Sequence, residues 1–183
     1  MIYLTLGEYE KGFYKYEWKW KTKTQRGRKL YQPKSKPRLT QNKKLIGKSI
    51  LIYSDEGLGD AIQFSRFINP IIHEKATAVL LVQEPLISLF KSSNLKCEII
   101  GKSSKIPYHD YYAPMSSLPN ILNTNETKIP HPVEFKMSSV RSNSALDLAV
   151  KQKNKPAIGI AWRGNPDHTN DKNRSIDLDV FLG

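Results

Sequence analysis

Three short apolar runs, 49-SILIY-53, 77-TAVLLVQ-83 and 157-AIGIAW-162, restrict the fold of this chain more than any other feature. They are continuous rather than alternating and too short for buried helices, so they read as strands covered on both faces. Between the first two, residues from Gly59 to about Lys75 place Ile62, Phe64, Phe67, Ile68, Ile71 and Ile72 at helical spacing. Glu84–Ser92 reads as a short helix opened by Pro85, and Lys96–Ile100 as a third, shorter strand. Tyr108–Ala113 reads as another strand, followed by a turn and helix over Pro114–Leu122. Residues 123–137 are irregular, with 129-IPHP-132 extended, and Ser138–Lys153 has the pattern of a polar helix. Strands alternating with helices predict an α/β fold, a Rossmann-like, mostly parallel and doubly wound sheet.

Ahead of that pattern, 4-LTLGEYEKGFYKYEWKWKTK-23 carries Tyr9, Phe13, Tyr16 and Trp20 at steps of four, three and four, one face of a helix. Lys11, Lys15 and Lys19 are expected on the opposite face. Gly7 reads as the turn from a preceding helix, and Gly12 as a point where another helix comes close. Residues 24–48, with Pro33, Pro37 and many charges, read as a linker or an extended wrap. The net charge of +12 is concentrated here: residues 11–48 hold 14 Lys/Arg and one acid, Glu17, while the remainder has 15 Lys/Arg against 16 acids. Such a stripe is a solvated helix face plus linker, or a surface for a polyanion. No RNA- or DNA-reading motif accompanies it, so nucleic acid is not expected as a partner.

No apolar run reaches the roughly 18 residues of a membrane-spanning helix. The first residues lack the basic and apolar regions of a signal peptide. A lone cysteine, Cys97, cannot close an internal disulfide and reads as a small core residue. These features favour the cytoplasm.

Ligands of open α/β sheets gather where strands end and helices begin. Two loops stand out there. In the first, 54-SDEGLGD-60, the glycines fit neither G-x-G-x-x-G nor the phosphate loop, so a nucleotide is weakly supported. Asp60, at the start of a helix, is either a cap favoured by the dipole or a carboxylate base aimed into a cleft. In the second, 163-RGNPDHTNDKNRS-175, Arg163, His168, Lys172 and Arg174 follow a buried strand, which suits a diphosphate or a solvated loop. Its spacing matches no metal site. His73, His109 and His131 have no partners at diagnostic spacing.

Taken in order, 6-LGEYEKGFYKYEWKW-20, 54-SDEGLGDAIQFSRF-67, 115-MSSLPNIL-122, 129-IPHP-132 and 158-IGIAWRGNPDHTNDKNRSIDL-178 resemble the bacterial tetratricopeptide-repeat glycosyltransferase-like proteins. Those join repeats to a module similar to the heptosyltransferases. Gly7, Tyr9, Gly12 and Tyr16 fall where the repeat places its glycine, aromatic, small residue and aromatic. The resemblance covers nearly the whole chain. It implies the N-terminal half of a B-type glycosyltransferase preceded by a tetratricopeptide-like helix. The implied divisions are a repeat remnant over 1–23, a basic linker over 24–48, an acceptor-side domain over 49–153 and the start of a donor-side domain over 154–183.

By the same resemblance Asp60 is the catalytic base, with Gly57, Gly59 and Gln63 beside it as substrate-binding residues. Lys172, Arg174 and Ser175, with Asn165 and His168, would face the donor phosphates. The donor is a nucleotide-diphosphate sugar, the acceptor a glycan, protein or lipid, and no metal or other cofactor is expected. Because Gly183 comes soon after the second domain's first strand, a truncated chain without transferase activity of its own is expected. The alternative is a module that binds a protein or polyanion through the aromatic and basic N-terminal helix.

Overall fold

The computed structural model describes residues 2–22, 35–136, 158–164, 166 and 170–183. The chain divides into two compact units, Met1–Ser138 and Ser139–Gly183.

The first unit is built on four parallel strands, β1 (Ser49–Tyr53), β2 (Thr77–Val82), β3 (Glu98–Gly101) and β4 (Tyr111–Pro114), in the order β3-β2-β1-β4. Leu51 faces Val79 on one side and Tyr112 on the other, so β1 is the central strand. After β3 the chain crosses to the far side of β1. That reversal is the topological switch point of a Rossmann-like sheet, and it brings the loops after β1 and β4 together.

The helices follow the apolar spacing, with one break. α1 (Ile2–Thr5) and α2 (Tyr9–Tyr16) form an N-terminal hairpin. Between β1 and β2 lie α3 (Leu58–Phe64), a 3-10 turn over Ser65–Phe67 and α4 (Ile68–His73). The expected single helix is thus split, because Pro70 has no N–H to give the carbonyl of Arg66 and crowds it. α5 (Ile87–Lys91) and α6 (Leu118–Ile121) follow β2 and β4, each after its own 3-10 turn.

Ile50, Ile52, Leu80 and Val82 meet Ile68, Ile71, Phe90 and Leu118 in the main core. Burying each such side chain contributes roughly 1.5–3 kcal/mol. The opposite sheet face presents Leu51, Tyr53, Val79, Leu81 and Ile100. Among the described residues the hydrophobic side chains packed against it are Ile106, from the β3–β4 connection, and Tyr112 of β4, and none comes from a helix, unlike in a doubly wound sheet. Cys97 packs at the edge of the main core, and burial pushes its thiol up to about 11.

The described part of the basic segment, residues 35–48, is an extended wrap that contributes to the fold. Leu39 and Leu45 are buried in the main core. The Leu39 N–H bonds the Tyr112 carbonyl, and the Tyr112 N–H bonds that of Pro37, which closes the free edge of β4.

In the second unit, α7 (Leu178–Leu182) follows a loop. The expected buried strand over Ala157–Trp162 is not seen in its described part: residues 158–162 have no strand pairing, and Ile158 and Ile160 are exposed. A parallel strand needs a neighbour to take its backbone groups, and none pairs with these residues among those described. The expected helix over Ser138–Lys153 lies outside the described residues.

Candidate functional site

Two neighbouring features occupy the carboxyl edge of the sheet, and they differ in chemistry. The first is a closed ionic cluster at the switch point. Ser54 extends the β1 pairing through its N–H to the Leu81 carbonyl and donates its hydroxyl to Gln83. Gln83 in turn donates to the Glu56 carbonyl, which fixes the loop. Asp55 is thereby pointed into the interior, where its side chain is 1% exposed. It accepts hydrogen bonds from the Ser116 N–H at 3.0 Å, from the Ser116 hydroxyl and from the ammonium of Lys19 at 2.9 Å. Lys19 also donates to Glu56 at 2.7 Å and to the Ser116 oxygen at 2.6 Å, so its three N–H groups have three acceptors.

Around this centre Tyr16 donates its hydroxyl to Glu56, Trp20 gives its indole N–H to Ser117, and Arg38 bridges Ser117 and Glu17. Burial opposes the Lys19 charge, but the Asp55 and Glu56 carboxylates outweigh it and hold its pKa above the usual 10.5. Burial likewise raises the Tyr16 phenol.

Lys19 corrects the sequence reading, which put it on the outer face with Lys11 and Lys15. The α-helix stops at Tyr16, and Glu17–Lys21 continue as a 3-10 turn. In that tighter geometry residues three apart eclipse, so Lys19 falls directly over Tyr16, 4.4 Å from its ring. The hairpin behaves as expected at its glycines. Gly7 makes the turn with φ +80°, and a Cβ on Gly12 would meet the Leu4 side chain at 2.4 Å.

The second feature is an open groove of about 770 Å³ between α2, α3 and the 129–135 segment. Tyr9, Phe13 and Tyr16 form one wall. Tyr9 stacks on Phe13, and Phe13 meets Phe67 edge-on. Ile129, Pro132, Val133 and Phe135 form the other wall. That segment is fastened to the end of α5 by the Asn94 N–H to the Glu134 carbonyl and the Lys136 N–H to the Ser92 carbonyl. The floor carries Gly59, Asp60, Gln63 and Arg66, a polar row along α3 and its 3-10 extension.

Asp60 is exposed, and one of its oxygens accepts the Gly57 N–H at 3.1 Å, closing the first turn of α3. No partner engages its other oxygen among the described residues. Gly57 serves as the N-cap in extended backbone, while Gly59 and Gln63 border the groove. Asp55 and Glu56, side by side in this loop, make it a poor cradle for phosphate.

In the second unit, the Gly164 N–H donates to the Ser175 hydroxyl oxygen at 2.9 Å, and Ser175 donates to Asp171 at 2.8 Å. Ser175 therefore closes the loop. Lys172 and Arg174 are exposed, and Arg163 stands 3.9 Å from Asp177 at the surface. Asn165 and His168 lie outside the described residues. Among the described residues no group of three His, Cys, Asp or Glu side chains could hold a metal, and no helix is long and apolar enough to cross a membrane.

The structure places Gly59, Asp60 and Gln63 along the groove and Gly57 at the cap of α3, while sequence reasoning assigned no site role to Asp55, Ser116, Lys19 or Arg66. A signal for two of these was present. The switch-point rule places the residues after β1 beside those after β4, which are Asp55 and Ser116. Comparison of the chain with protein-family models, curated proteins and solved structures finds no match.

Proposed function

We propose that this chain is the acceptor-side half of a heptosyltransferase-like, B-type glycosyltransferase, with Asp60 as the base. The observation that carries the reading is the position of Asp60. It stands at the start of the helix after β1, on the floor of an aromatic-walled groove, with one oxygen fixed by the Gly57 N–H and the other without a partner.

In this reading an acceptor hydroxyl lies in the groove and loses its proton to Asp60 as its oxygen attacks the anomeric carbon of a nucleotide-sugar. The new C–O bond forms while the bond to the diphosphate breaks, and the nucleotide diphosphate leaves with the electron pair. Lys172 and Arg174 of the second unit are the candidates for binding a donor diphosphate, and Ser175 supports their loop. In this reading no metal or cofactor is required, the N-terminal hairpin is tetratricopeptide-like, and the compartment is the cytoplasm.

The test is a transfer assay with UDP-, GDP- and ADP-linked sugars on this chain fused to a donor-side domain. Asp60→Asn lowers transfer by roughly 10²–10⁴-fold and leaves acceptor binding nearly unchanged. Full transfer by that variant removes Asp60 as the base.

A second reading, a surface for a protein or polyanion, is favoured by the outer side of the N-terminal segment. Trp18 and Tyr14 are exposed there, with Lys21 4.2 Å from the Trp18 ring and Lys15 5.7 Å from that of Tyr14. Salt-sensitive retention on heparin that disappears in Trp18→Ala/Lys21→Ala supports it, and retention unchanged in that variant removes it.

A further inference from the structure

Tyr16 belongs to both features at the carboxyl edge. Its ring lines the groove, and its hydroxyl donates to Glu56 at 3.3 Å in the ionic cluster. Lys19 follows one 3-10 turn later, with its ammonium 4.4 Å from that ring. The same ammonium, on a side chain only 11% exposed, reaches Asp55 and Glu56 after β1 and Ser116 after β4. One residue therefore ties the end of the hairpin to both loops of the switch point.

That hairpin carries the whole aromatic wall. Tyr9, Phe13 and Tyr16 come from α2, whereas the floor comes from residues 59–67 and the other wall from 129–135. Phe13 meets Phe67 edge-on, with the ring centroids 6.4 Å apart. Apolar contact is weakly directional, while a desolvated ammonium with three fixed acceptors admits essentially one position. The flanking bonds from Trp20 to Ser117 and from Arg38 to Glu17 hold residues outside the groove wall. We propose that Lys19 is the positioning residue of the groove: by fixing Tyr16 against the loops after β1 and β4, it sets the aromatic wall over the α3 floor that carries Asp60. A ligand in the groove and the docked hairpin then favour one another, because each stabilises the arrangement the other needs. That the ligand is an acceptor rests on the reading above, but the position of the wall is measurable without any transfer.

The test uses the full chain carrying Lys19→Ala/Asp55→Asn, which removes the buried cation and neutralises its carboxylate together, so that no unpaired charge is left in the interior. In methyl and aromatic NMR spectra this variant keeps the wild-type Ile50 and Leu80 methyl signals, which report the sheet, and the Tyr9–Phe13 ring contact, which reports α2. The Phe13–Phe67 contact loses most of its intensity, and the Ile62 and Val133 methyls along the groove shift. A Phe13–Phe67 contact of wild-type intensity overturns the inference. Loss of the Ile50 and Leu80 pattern also overturns it, since Lys19 then supports the fold as a whole rather than the wall. In the fused transferase the same variant raises the acceptor KM about tenfold and leaves kcat within about twofold of wild type. An unchanged KM with the wall displaced removes the groove's dependence on Lys19. Full transfer by Asp60→Asn, or no transfer by the fusion at all, counts against the acceptor reading and leaves the NMR result to decide the role of Lys19.

Discussion

Asp55 and Asp60 are five residues apart, one in the loop after β1 and one in the first turn of α3, yet they do opposite work. Asp55 is sealed in the interior and bonded to Lys19 and Ser116. Asp60 is exposed and gives one oxygen to a local cap. The first is held by residues 36 and 61 positions away in sequence, the second by a backbone group three residues back. A carboxylate saturated by long-range partners binds segments of the fold together, and one held only locally keeps an oxygen for a ligand.

The largest effect on this contrast comes from Lys19→Ala. It leaves Asp55 buried without its cation and lowers stability by roughly 3–5 kcal/mol in urea denaturation. Adding Asp55→Asn recovers much of that loss, because the remaining group is neutral. If Lys19→Ala matches wild type within error, the cluster does not hold the N-terminal segment. The pH dependence has a definite sign. The Lys19 pKa is raised on folding, so its contribution is full below its usual 10.5 and is lost as pH rises through the higher folded value. Wild-type chain therefore loses stability above about pH 10.5, and a Lys19→Met variant lacks that contribution to the alkaline loss.

Next is Gly12→Val, which forces the Leu4 side chain away and moves the helix that carries Lys19. Its expected loss is roughly 1–3 kcal/mol by the same measurement. In a Lys19→Ala background the loss shrinks if the two act through the same docking, and strict additivity shows that they do not. The smallest structural effect belongs to Asp60→Ala, roughly 0.5–1 kcal/mol from the lost cap. A loss several-fold larger means Asp60 has a structural partner beyond Gly57.

Much of the first unit was legible in the sequence because its signals are local. The β1 and β2 runs, the α2 aromatics, Gly7 at positive φ and Gly12 at the close approach each state a requirement that neighbouring residues impose. Asp60 was legible for the same reason, as an acid at a helix start. Arg66 carried no signal, since an arginine on a helix reads as solvated until its surroundings are known. The 157–162 run misled in the opposite direction: apolar sequence specifies a preference for burial and pairing, but it does not supply the pairing strand.

The sequence by itself determined the strands and most of the helical segments of the first unit, the α/β class, and the turn that puts Asp60 at the start of a helix, because hydrophobic period and turn chemistry act over a few residues. Only the tertiary structure decided that Lys19 turns inward, that Leu39 and Leu45 of the basic segment belong to the core, and that Arg66 lines the groove. Those outcomes depend on which distant groups arrive at the same place. A buried charge is decided by its partners, and its partners are fixed only when the sheet, the hairpin and the wrap have come together.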